Sequence, residues 1–177
     1  MTLGEARMEK VFHFEAPREQ YVCDAAVVWC FDNRFQVGFG KFLKRRGIIN
    51  VDPIKIAGGA KSLASPAKES DREFVIGQIE ASIRLHATRL VILMVHSDCG
   101  GYGGLAAFGN DEQREAKHHE EELQRAAKWV RERVPGLAVE AYFVNFEGVW
   151  KPELARAAAS VGAGSDNPKR FSDNSPA

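Results

Sequence analysis

Six consecutive apolar residues, Leu90 to Val95, stop at a histidine; an earlier apolar, partly β-branched stretch, Tyr21 to Cys30, stops at a cysteine. Runs of this length are strand-sized and fall far short of the ~20 residues a membrane-spanning helix needs. Apolar at nearly every position, they are expected to be buried on both faces. A strand covered on both sides needs helices above and below it, which points to an α/β architecture with a mainly parallel sheet.

The sequence between these runs supplies the helices. Phe35, Phe39, Phe42 and Leu43 follow helical spacing, with Gly47 as a stop. Val51 to Ala57 reads as a second strand. Ser70 and Glu73 form an S-x-x-E capping signature before Ile76, Ile79 and Ile83, which share one helical face. After the third strand, Leu90 to Val95, comes the Gly-rich stretch CGGYGG. Leu123, Ala126, Ala127, Val130 and Val134 then mark a long helix over about 112–134, closed by Pro135-Gly136. Val139 to Asn145 is a fourth strand, Glu147-Gly148 turns the chain into a short antiparallel return, and a short helix is expected over about 153–160. The expected organisation is one domain over residues 10–161, with tails at 1–9 and 162–177.

Composition narrows the function. With 24 basic and 24 acidic residues the formal net charge is zero, so neither nucleic acid nor an anionic membrane is an expected partner. The first ten residues lack the apolar stretch of a secretion signal, and a cytoplasmic location is expected. Three cysteines do not suit a disulfide framework, and in a reducing compartment they would be free, catalytic or metal-bound.

Two of the three sit at strand ends. Cys30 opens Cys30-Phe31-Asp32-Asn33-Arg34, and the third strand runs into His96-Ser97-Asp98-Cys99-Gly100-Gly101. In a doubly wound sheet, ligands gather beyond the carboxyl ends of the strands. If strands one and three are neighbours, Cys30, His96 and Cys99 converge there. Two thiolates and an imidazole suit Zn²⁺, and three protein ligands leave a fourth position for chemistry. Read singly, each motif is better explained by buried small hydrophobes and a hydrogen-bonded histidine; the two motifs together favour the metal.

The pair C-x-D-x-R and H-x-x-C-G, with Ala57-Gly58-Gly59 and the YFVNFEG hairpin, resembles the β-class carbonic anhydrases from about Val22 to Val149. The resemblance implies a sheet of order 2-1-3-4 and one zinc per subunit, held by Cys30, His96 and Cys99. It also implies a catalytic dyad of Asp32 and Arg34, and reversible hydration of CO₂ to bicarbonate by a zinc-bound hydroxide. A homodimer or a multiple of one is implied as well, with active sites near the interface. Two departures stand out. Lys55-Ile56-Ala57-Gly58 replaces the family's R-N-A-G, and Asp98 places an extra carboxylate between two ligands. Hydrolysis of COS or CS₂, or a non-catalytic zinc protein on the same fold, are the alternatives. Cys23 and the three tryptophans are assigned to packing, His118-His119 to a solvated helix face, and His13 and His86 to no role.

Overall fold

The computed structural model describes residues 9–155. The expected tails, apart from Glu9, and most of the last expected helix therefore lie outside the described residues; Glu153 to Ala155 carry no helix.

Five strands form one sheet of order β2-β1-β3-β4-β5. They are β1 Ala25–Trp29, β2 Val51–Lys55, β3 Leu90–His96, β4 Ala138–Val144 and β5 Val149–Trp150. The first four pair in parallel, and β5 returns antiparallel to β4, as the sequence leads one to expect. Helices α1 Asn33–Arg45, α2 Lys61–Ala64, α3 Glu69–His86 and α4 Glu112–Arg133 connect them. Among the described residues no helix is long and apolar enough to cross a membrane.

The continuous apolar strands are explained by two cores. Ala26, Val28, Val91, Leu93 and Val95 face α3 and α4, meeting Ile76, Ile79, Leu123 and Ala126. Their neighbours Ala25, Val27, Ile92 and Met94 face the other way, toward Phe35, Phe39 and Leu43 of α1. Successive strand residues thus serve opposite layers. Each large side chain so buried contributes about 1.5–3 kcal/mol.

Three expected details differ. β1 starts at Ala25 rather than Tyr21, because the Asp24 carboxylate accepts the N–H groups of Ile49 and Asn50, each at 2.8 Å, and turns the chain there. β2 ends at Lys55 rather than Ala57; Ile56 still donates to the Trp29 carbonyl at 3.0 Å, and a turn follows. The cap of α3 is not Ser70–Glu73. The helix begins earlier, and Asp71 accepts the backbone N–H of Lys68 at 3.3 Å.

The turn after β2 lies under the ends of β1 and β3. Gly59 has φ +57°, and a Cβ there would lie 2.2 Å from the Met94 carbonyl oxygen and 3.1 Å from the Cys30 nitrogen. Gly101 is also crowded, since its Cβ would lie 2.8 Å from the Gly58 nitrogen. Only glycine permits these backbone contacts. Gly59→Ala is expected to lower stability by about 3 kcal/mol through overpacking and backbone strain. Urea unfolding compared with Gly38→Ala, where a Cβ meets nothing within 4 Å, checks this.

Candidate metal centre

The parallel pairing of β1 with β3 decides where the reactive side chains go. Strand β2 lies on one side of β1 and β3 on the other, so the chain order reverses at the β1–β3 boundary. Cys30 follows the last residue of β1, and His96 is the last residue of β3. A turn at Ser97-Asp98 brings Cys99 back beside them, and the Gly-rich stretch that follows folds into short 3₁₀ turns.

The ligand atoms of Cys30, His96 and Cys99 lie within 4.8 Å of one another, and all three residues are buried. The two sulfurs are 4.0 Å apart. His96 donates from Nδ1 to the Ser97 carbonyl at 2.8 Å, which leaves the lone pair on Nε2. That buried Nε2 has no hydrogen-bond partner among the described residues. A buried polar atom lacking a partner is costly, and a metal ion would supply one.

The electrostatics agree with that fit. The Cys99 thiol donates to Cys30 and holds it well below the ordinary thiol range against burial, with help from the nearby backbone N–H groups of Asp32 and Gly58. Cys99 is pushed up in turn, first by that shared proton and then by burial. Two sulfurs this close do not both ionise without a cation between them. A divalent metal provides that charge, and it binds thiolates rather than thiols.

Asp32 caps α1, accepting the Arg34 N–H at 2.9 Å, and its carboxylate is thereby fixed at the strand end. The Arg34 side chain donates from Nε to both Asp32 oxygens at 3.1 Å and from Nη2 to Oδ2 at 2.7 Å. This pairing lowers Asp32 to about 2. Asp32 Oδ2 stands 4.0 Å from His96 Nε2. Gln36, to which the sequence reading assigned no role, holds the same loop by donating to the carbonyls of Cys30 at 2.9 Å and Asp32 at 3.0 Å. All five residues singled out in the sequence are therefore brought together.

The family model described as "Putative carbonic anhydrase" matches residues 21–155. The chain belongs to this carbonic anhydrase family. Solved β-carbonic anhydrases share its fold. The one from Trichomonas vaginalis superposes with a TM-score of 0.53 at 16% identity, over 78% of this chain and 87% of that one. CafA of Aspergillus fumigatus gives 0.51 at 16% identity, over 77% and 78%. The tetrameric enzymes of Sordaria macrospora give 0.51 at 16% identity, over 82% and 84%. An uncharacterized protein of Rickettsia bellii is 25% identical over 126 residues, 70% of this chain and 77% of that one. The chain is a divergent member on the β-class fold.

Two histidines depart from expectation in this chain. His86 does have a partner: Nδ1 lies 2.8 Å from Asp52 Oδ2, and the ring stacks on Tyr21 at 4.2 Å. His119 is wholly buried rather than solvated, and neither ring nitrogen has a hydrogen-bond partner among the described residues. It packs against Tyr102 and Phe143, with Nε2 3.7 Å from Glu115 Oε1. The signal was present in the sequence. Counting back from Leu123 by four and by eight reaches His119 and Glu115.

Burial pushes His119 down to about 3 from an ordinary value near 6.5. The folded state keeps the ring neutral while the unfolded chain takes up a proton below that ordinary value. Stability is therefore full above pH ~6.5 and is lost as pH falls toward 3. His119→Leu is expected to abolish about 2 kcal/mol of destabilisation between pH 6.5 and 5. Urea midpoints of both proteins at the two pH values, with equal metal loading, check this.

Proposed function

We propose that the chain catalyses reversible hydration of CO₂ to bicarbonate with one Zn²⁺ held by Cys30, His96 and Cys99. The observation that carries this reading is the gathering of three buried ligand atoms within 4.8 Å at the switch point of the sheet. Two thiolates and an imidazole are a zinc donor set, one short of the usual four. Zinc, when bound, supplies a Lewis acid that makes water acidic enough to attack CO₂ near neutral pH.

The remaining work falls to the chain. Asp32, held ionised by Arg34, is a fixed charged acceptor beside the ligand cluster. It orients the attacking water by accepting its proton in a hydrogen bond. Ser97, through its carbonyl, keeps His96 in the tautomer that offers Nε2. Membership of the carbonic anhydrase family and the β-class fold support the same assignment.

A homodimer or a multiple of one is part of this proposal. Val11 and Phe12 are 89% and 76% exposed, and among the described residues β2 is the unpaired edge of the sheet. Such surfaces are covered in stable proteins, and the related Sordaria enzymes are tetrameric. Light scattering at micromolar concentration is expected to give at least twice the chain mass; a monomer would contradict it.

Elemental analysis of purified protein is expected to find about one zinc per chain, and Cys99→Ser to lose it, because an alcohol is a poor zinc ligand. Asp32→Asn should keep zinc but lower CO₂ hydration about 10–100-fold in stopped-flow assays. A second reading, a non-catalytic zinc protein, is favoured by Lys55-Ile56 standing where the family carries Arg-Asn. Zinc-loaded wild-type protein that hydrates no CO₂ would select it.

A further inference from the structure

We propose that Glu115, on the buried face of α4, is a positioning residue for the Asp32–Arg34 pair, acting through the backbone of Asp98. The inference rests on the reading of that pair as catalytic.

Asp98 lies between His96 and Cys99 and has φ +51°, a left-handed conformation unusual for a residue with a side chain. Its N–H donates to Glu115 Oε1 at 2.7 Å. Its Oδ1 accepts the Leu105 N–H at 3.0 Å. The two acceptors left to Asp98 both go to Arg34. Nη1 donates to Oδ2 and Nη2 to the main-chain carbonyl, each at 2.9 Å. The guanidinium is therefore gripped from two sides, by Asp32 and by Asp98. A planar fork held at both ends has no freedom to roll, and Asp32 is fixed with it.

Glu115 is the group that makes this grip possible. Its side chain is 1% exposed, and no Arg or Lys pairs with it among the described residues. The neighbouring His119 is uncharged near neutral pH. A buried carboxylate without a cation is expensive unless its hydrogen bonds repay the lost hydration. Glu122, two turns along α4, is repaid by Ser65, Tyr102 and Arg125, which tie helix to helix and loop. Glu115 instead spends its short bond on one loop N–H, at the point where the chain turns left-handed and aims Asp98 at Arg34. It also lines a cavity of about 150 Å³ with Ser97, Asp98 and Asn145, so it adjoins the site rather than the deep core.

The test compares Glu115→Leu with Glu115→Gln in the zinc-loaded protein. Gln retains a carbonyl oxygen for the Asp98 N–H; Leu retains the volume alone. Glu115→Leu is expected to lower kcat for CO₂ hydration at least tenfold at unchanged zinc content and KM, and Glu115→Gln to stay near wild type. The independent readout is the Arg34 Nε–H resonance in ¹⁵N-edited NMR. It should be shifted downfield and protected from exchange in wild type and Glu115→Gln, and averaged with solvent in Glu115→Leu. A wild-type kcat and Arg34 signal in Glu115→Leu would overturn the proposal. Should that variant fail to fold, Glu115→Met decides, since its unbranched side chain keeps a similar shape but offers no oxygen to the Asp98 N–H. Wild-type kcat and Arg34 signal there would overturn the proposal too. If wild-type protein with full zinc hydrates no CO₂, the proposed function fails, while the Arg34 resonance still decides the positioning role.

Discussion

The site depends on one contact between strands: β1 beside β3, parallel, with Ala26, Val27 and Val28 opposite Val91, Ile92 and Leu93. Because both strands are buried on both faces, neither can slip by a residue without exchanging its two cores. The register is therefore rigid, and it brings the first residue after β1 and the last residue of β3 to a common edge. Everything chemical follows from what stands there. A cysteine and a histidine are delivered by two strands buried on both faces, and the turn at Ser97-Asp98 brings Cys99 to join them.

Around this cluster the chain keeps charge and backbone in separate hands. The sulfurs are served by main-chain N–H groups of Asp32, Gly58 and Gly101, which require close approach rather than charge. The carboxylates Asp32 and Asp98 are served by the single cation Arg34. All three are partly exposed, so their pairing alone would be weak in water. What makes it specific is geometry: bidentate contact with Asp32, an N-cap that fixes Asp32, and a loop bond that fixes Asp98.

Much of this was legible in the sequence because it rests on local patterns. Continuous apolar runs told of strands buried twice, and the residues that end them, Cys30 and His96, marked the candidate site. What was not legible required knowing how distant segments meet. His86 lies 34 residues from Asp52, and no spacing rule joins a helix end to an edge strand. His119 was hidden by composition, since charged neighbours make KHHEEEL read as solvated, although its period matched the buried stripe of α4. The role of Asp98 depends on a left-handed φ that an aspartate does not announce. The short β1 reflects side-chain capping by Asp24, which overrides the β-propensity of Tyr21 and Val22.

The departure at Lys55-Ile56 can be placed by the same separation of roles. Lys55 Nζ lies 4.5 Å from the Trp29 ring centroid, a cation–π contact on the α1 side of the sheet. Ile56 packs on the opposite core with Ala60 and Leu63. Both residues thus have packing partners of their own. The segment immediately after them, Ala57-Gly58-Gly59-Ala60, is the part that touches the ligand cluster's surroundings: a Cβ on Gly59 would lie 3.1 Å from the Cys30 nitrogen, one on Gly101 2.8 Å from the Gly58 nitrogen, and the Ala60 N–H donates to the Met94 carbonyl at 3.1 Å. The chain changed the residues that lead into this turn and kept the glycines the cluster leans on. The gathering of Cys30, His96 and Cys99 thus rests on this turn, while Lys55 and Ile56 are held by packing of their own.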